Sequence, residues 1–158
     1  MNSFPTTFRA EYFDNVFSNV TDADIRAYDT TDPRYIQRVS KLEYWDIDRT
    51  NGSSTARIVL HWDISSDVNQ PLYIKVGHYH NSGDGFNLWE AEGLSGIAVG
   101  TATAGYHISD QAADVFSPFT HATNIRNSQV NPLPVTLVSF NAEYVEGRGV
   151  KLTWKTSA

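Results

Sequence analysis

Cysteine is absent from the 158 residues, which removes disulfides, thiolate metal sites and cysteine nucleophiles together. That absence excludes chemistry without assigning a compartment, since many exported bacterial proteins also lack the residue. Long apolar runs are missing as well. None approaches the roughly 20 residues needed to cross a bilayer, so membrane insertion is not expected. Positive charge is scarce: 12 Lys and Arg stand against 18 Asp and Glu, a formal net charge of -6. No basic surface can be built to track phosphates, and nucleic acid is not expected as a partner. No stretch of ordinary helix length carries a 3.6-residue apolar period, and there is no internal repeat or low-complexity tract. The opening residues MNSFPTTF lack a basic segment followed by an apolar one. If the protein is exported, its signal is expected elsewhere in a longer gene.

What is present is strand material. Hydrophobic residues make up 41% of the chain and aromatics 13%, enough for one domain with a real core and a preference for sheets. Residues 39–63 read as a central hairpin, with arms at 35–48 and 55–63 around a polar turn containing Asn51-Gly52. Such a pair tolerates the positive φ of tight hairpin loops. In the second arm Ala56, Ile58, Leu60 and Trp62 alternate with Arg57, His61 and Asp63, as in a half-buried strand. Further strands are expected at 4–13, at 72–80 and at 86–91, the last two joined as a second hairpin by the glycine-bearing turn 81–85. Residues 94–108 are rich in Gly, Ala and Thr, which implies close backbone approach or a strand adding little to the core. The run 115–121 carries Pro118 at its middle and suits an edge strand or a bulge. A Pro-rich linker at 131–134 divides a module, 1–130, from two strands at 135–144 and 149–155. Two strands are too few to bury a core, so 135–158 either packs on the first module or begins a truncated immunoglobulin- or fibronectin-like domain. The expected fold is all-β, an antiparallel β-sandwich of jelly-roll or immunoglobulin-like type.

Chemistry-bearing residues are few. His78 and His80, two apart on one strand, project from one face with α-carbons about 6.5 to 7 Å apart. Together they could reach one Zn²⁺ or Cu²⁺ if a third and fourth ligand came from His61, His107, Asp84 or Glu90. Continuation of the apolar face of Ile74 and Val76 is the bland alternative. Asp22, Asp24, Asp29 and Asp32 cluster in the sequence and raise calcium, although their spacing does not match an EF-hand loop, and a solvated acidic loop is the simpler reading. Around the turn 81–85, Tyr79, Phe86 and Trp89 could stack on a sugar face while Asp84 bonds its hydroxyls. Trp62, in register with Ile58 and Leu60, is expected in the core. Catalysis finds little support. Glu90 and Glu92 share a strand face, too close together for opposed acid and base roles, and there is no nucleophile elbow or phosphate-binding glycine loop.

Two stretches carry a family likeness. VSKLEYWDIDRT (39–50) followed by VLHWD (59–63) resembles the "EYWDLDRT…VTLSWD" module of large secreted Bacteroidetes proteins, and FSPFT (116–120) looks like that module's closing "SPFTL" strand. NPLPVTLVSF (131–140) and VKLTWKTS (150–157) are similar to the "NPLPVTLLSF…VLTWKTSSE" stretch that follows it, near the type IX secretion sorting domain. The landmarks occur in matching order along nearly all of the chain after about Phe8. Relatives read like "LRVARWDG…W" where this chain has IKVGHYH (74–80), so its paired histidines are a departure. The resemblance implies an extracellular or cell-surface location, neighbouring domains in the same polypeptide, and no catalytic residues to transfer. A noncatalytic module acting as a spacer or in adhesion is therefore expected, with no required cofactor. The alternatives are a carbohydrate-binding module of a polysaccharide-degrading enzyme, taking polysaccharide or cell-surface glycan at Tyr79, Asp84, Phe86 and Trp89, and a small metalloprotein using His78 and His80.

Overall fold

The computed structural model describes residues 5–18, 22–93, 96–125, 137–145 and 149–156. Its strands are β1 (Thr7–Phe13), β2 (Arg38–Val39), β3 (Tyr44–Asn51), β4 (Val59–Asp63), β5 (Ile74–Asn81), β6 (Asn87–Ala91), β7 (Ile97–Thr101), β8 (Ala104–Ile108), β9 (Pro118–Thr123), β10 (Leu137–Val145) and β11 (Gly149–Thr156). All named pairings are antiparallel. The larger sheet runs β1-β3-β9-β5-β6, with β2 also paired to β9, and the smaller runs β4-β8-β7. The two pack face to face as a β-sandwich, as the alternating patterns require. β10 and β11 form a two-stranded sheet of their own. The expected linker at 131–134 and residues 146–148 between the last two strands lie outside the described residues.

Between the sheets, Ile58, Leu60, Val76, Ala113 and Phe119 form one apolar cluster and Trp62, Val68 and Ile74 another. The alternation in 56–63 is kept: Ile58, Leu60 and Trp62 are buried, whereas Val59, His61 and Asp63 face out. A third cluster lies on the opposite face of the larger sheet, where Phe17, Ile25 and Ile36 from the chain between β1 and β2 cover Val39, Trp89, Ala91 and Ala122. The middle of the larger sheet is thus covered on both faces.

Two expectations are corrected. The stretch 39–63 is not a hairpin, because β3 pairs with β1 and β9 while β4 pairs with β8 in the other sheet. Asn51 still pairs with Thr7, and Gly52 at φ +82° turns the chain out of one layer toward the other. A β-carbon on Gly52 would stand 2.3 Å from Thr6 Oγ1, so glycine is demanded by space as well as by conformation. Pro118 does not mark an edge. β9 is the hub of the larger sheet, flanked by β5 on one side and by β2 and β3 in succession on the other. The proline occupies its first position, where a missing amide donor costs least.

The hairpin of β5 and β6 forms as expected. Asn81 Oδ1 accepts from the amides of Gly83 (2.8 Å) and Gly85 (3.2 Å), and Asp84 Oδ1 accepts from the Phe86 amide (3.1 Å). Register pairs His78 with Glu90 and His80 with Leu88. The small-residue stretch is also a hairpin, β7 with β8. Gly105 lies opposite Trp62, and a β-carbon there would stand 2.2 Å from the indole Cζ2.

Candidate functional site

Around the turn 81–85 the four candidate sugar-binding residues do not share one exposed face. Trp89 is 1% exposed, packed between Tyr79 (ring centroids 5.3 Å) and Phe17 (6.1 Å, near-perpendicular). It belongs to the covered face of β6, where the Arg26 amide donates to its carbonyl at 2.8 Å. Tyr79 shares that face and leans on Phe17. Phe86 is 68% exposed at the turn, and Asp84 is ion-paired with Arg26. Of the four residues, only Phe86 presents a free aromatic face. The acidic stretch is also spent locally: Asp29 accepts from the Thr31 amide and hydroxyl, both at 2.8 Å, and Asp32 pairs with Arg34 at 2.9 Å.

The inward face of β5 and β6 carries the first polar cluster. His78 and His80 stack with ring centroids 4.1 Å apart and planes 12° from parallel, and His78 stacks on Phe119 as well. Nδ1 of His78 lies 2.5 Å from Glu92 Oε2, and its Nε2 lies 2.7 Å from Ser117 Oγ. Nε2 of His80 lies 2.6 Å from Glu90 Oε1, which also accepts from Ser82 at 2.5 Å. The other oxygen of Glu90 accepts from the Tyr28 hydroxyl and lies 2.9 Å from Arg26 Nε. Burial pushes Glu90 upward, but the bonds from His80, Ser82 and Tyr28 outweigh it and hold the carboxyl down at about 2. Tyr28 is pushed up to about 12 by burial and by Glu90. Burial lowers His78, with Glu92 opposing in part.

Of the extra metal ligands considered from sequence, none joins His78 and His80 as anticipated. His61 faces outward on β4, His107 belongs to a second cluster, Asp84 is taken by Arg26, and Glu90 bonds the Nε2 of His80. The structure supplies Glu92 instead, with one ligand atom from each of His78, His80 and Glu92 lying within 4.8 Å of the others. Glu92 sits just beyond β6, its amide bonded to the Val76 carbonyl at 2.8 Å. Its proximity follows from the His78–Glu90 register, which the turn length alone could have supplied.

The second cluster spans the two sheets. His107 Nε2 of β8 lies 2.8 Å from His121 Nδ1 of β9, His121 Nε2 lies 3.1 Å from Glu43 Oε1, and Glu43 Oε2 accepts from the Tyr12 hydroxyl at 3.0 Å. His107, His121 and Glu43 are all buried. Burial drives His107 well below the ordinary histidine value, and the neighbouring His121 and His61 act in the same direction. Burial also raises Glu43, yet hydrogen bonds from His121, Ser66 and Tyr12 leave it below the usual carboxylate value. Tyr12 is pushed up to about 12 by burial and by Glu43. Glu43 carried no sequence signal beyond its place in the family-like stretch 39–50, and His121, one residue past the stretch 116–120, carried none.

Comparison with family models, with curated proteins and with solved structures returned no match. Fold and site therefore rest on the chain's own geometry. No helix among the described residues is long and apolar enough to cross a membrane.

Proposed function

We propose that the chain is a noncatalytic β-sandwich module of a multidomain protein exported to the bacterial surface or medium, serving as a spacer or in adhesion. The observation that supports this reading is the outer face of the smaller sheet. Register aligns Ile97, Ile108 and Val59 in one row and Val99, Tyr106 and His61 in the next. Ile97 is 58% exposed, Val99 46% and Val59 45%. Adjacent apolar rows on one sheet face are what a module needs to seat a neighbouring domain or adhere to a surface. The landmark order of the secreted Bacteroidetes modules points the same way. Beads coated with the protein are expected to attach to alkyl-coated glass and to cell-envelope preparations, and the double substitution Ile97→Lys, Val99→Lys is expected to abolish most of that attachment. Undiminished attachment by the double variant would overturn the assignment, as would release of reducing sugar from a polysaccharide panel by the wild type.

A second reading, carbohydrate binding, keeps one supporting observation, the exposed ring of Phe86 beside Asp84. A glycan array decides it: retention lost in Phe86→Ala favours sugar binding, and no retention by the wild type removes it.

A further inference from the structure

In the β5–β6 cluster the hydrogen-bond partners fix which nitrogen of each neutral histidine ring carries the proton. Ser117 has one hydroxyl proton, and its Oγ stands 2.6 Å from the Tyr79 carbonyl, which can only accept. The proton goes there, so toward His78 the serine oxygen is the acceptor and His78 Nε2 carries the hydrogen. Glu90 accepts from Tyr28 and Ser82 and is ion-paired with Arg26, which keeps it an acceptor-only carboxylate, so its contact with His80 is an N–H donated by His80 Nε2. Both imidazoles, when neutral, are then Nε2–H tautomers with bare lone pairs on Nδ1. His78 Nδ1 points that lone pair at a carboxylate oxygen of Glu92 only 2.5 Å away. His80 Nδ1 is buried and has no hydrogen-bond partner. Each ring thus keeps a lone pair on Nδ1, and one ligand atom from each of His78, His80 and Glu92 lies within 4.8 Å of the others.

We infer that His78 Nδ1, His80 Nδ1 and Glu92 form a binding site for one divalent transition-metal ion of the Zn²⁺ class. Two imidazoles and a carboxylate are a ligand set that such ions favour, leaving a fourth position for water. Ser117 and Glu90 hold the far nitrogen of each ring, which fixes the tautomer a metal needs and is the usual role of groups just outside a metal's ligands. The site has an entrance, because the side chains of His80 and Glu92 are 18% and 12% exposed while that of His78 is 1% exposed. Ligand atoms around Zn²⁺ stand about 3.3 Å apart. Binding therefore opens the His78–Glu92 contact by under about 1 Å and swings the more exposed His80 ring out of its parallel stack. This site stands independently of the module reading.

The test uses the purified protein after chelation and dialysis, titrated with ZnCl₂ by calorimetry. One equivalent is expected to bind, and His80→Ala and Glu92→Gln are each expected to weaken binding by at least about 100-fold, more than loss of an outer partner costs. His61→Ala, outside the site, is expected to bind as the wild type does. Folding of each variant is checked by circular dichroism. Long-range proton–nitrogen NMR of the wild type keeps the inference testable if a variant misfolds. Before zinc, both rings should report Nε2–H tautomers; after zinc, the Nδ1 signals of His78 and His80 should move while those of His61 stay. Absence of stoichiometric zinc binding, unchanged affinity in both ligand variants, or unmoved His78 and His80 signals would overturn it.

Discussion

Replacing Trp62 by alanine removes the largest side chain of the second inter-sheet cluster. Trp62 is 4% exposed and packs against Val68, Ile74 and Ala98. It stands edge-on to His121 at 6.4 Å and donates its indole N–H to the Thr101 carbonyl at 2.8 Å. Burial of about 200 Å² for such a ring, at about 25 cal/mol per Å², is worth about 5 kcal/mol. Measured truncations of buried aromatics cost about 3–5 kcal/mol. The upper half of that range is expected, because the residue opposite is Gly105, which has no side chain to relax into the cavity. Against a total stability of about 5–15 kcal/mol, that is about a third of the margin at the upper end and nearly all of it at the lower. Urea unfolding, followed by far-UV circular dichroism and the fluorescence of the remaining tryptophans, reads the effect. With a slope of about 2 kcal/mol per molar, the midpoint should fall by about 2 M. A midpoint within about 0.3 M of the wild type, under about 1 kcal/mol by the same slope, would refute the placement of Trp62 in the core.

Gly105→Ala drives a methyl group into the Trp62 ring and the Val99 carbonyl 2.5 Å away. Overpacking of this kind costs about 1–3 kcal/mol, to be measured as a drop in calorimetric Tm. Glu43→Leu leaves the donors of His121, Ser66 and Tyr12 without their acceptor, an expected loss of roughly 2–4 kcal/mol in urea unfolding. Stability should also fall with acidity in two stages. His107 titrates lower in the folded chain than in the unfolded one, so below pH 6.5 the unfolded state takes up a proton that the folded state refuses. The loss is at most about 1.4 kcal/mol per pH unit. Glu43 contributes stability above pH 4.5 that is lost as pH falls through its lowered folded value. Urea midpoints across pH 4–8 check this: His107→Gln should flatten the stretch just below pH 6.5, and an unchanged slope there would contradict it.

Side-chain alternation made much of this fold legible, and long-range partners did not follow from it. Ile58, Leu60 and Trp62 were readable as one buried face because a strand presents every second residue to the same side. Asn51-Gly52 was readable as a site of positive φ, but a tight hairpin and a crossing between layers use that conformation alike. What separates them here is that β3 already has partners in β1 and β9. Pro118 misled because a proline's meaning depends on whether it sits first or inside a strand, a boundary that composition does not mark. Whether Trp89 is core or a sugar platform was not legible, because its cover, Phe17, Ile25 and Ile36, comes from a stretch with no regular pattern. The pairing of His78 with His80 was visible at spacing two. Glu92 was not singled out as their partner because its position depends on hairpin register.

The central place of β9 in the larger sheet sets a timetable for the chain's birth. The strand that joins β2, β3 and β5 is the last of the sandwich to be synthesised. Between Arg38 and Pro118 lie roughly 80 residues, about 4–16 s of translation at about 5–20 residues per second. From Asn81 onward, roughly the second half of that interval, β3 and β5 exist without the strand that lies between them, each with an edge open to the wrong neighbour. Closure of the larger sheet waits on the six residues of β9, so a chain interrupted before Pro118 holds every strand of the smaller layer but leaves the larger one as two separate strand pairs, β1-β3 and β5-β6.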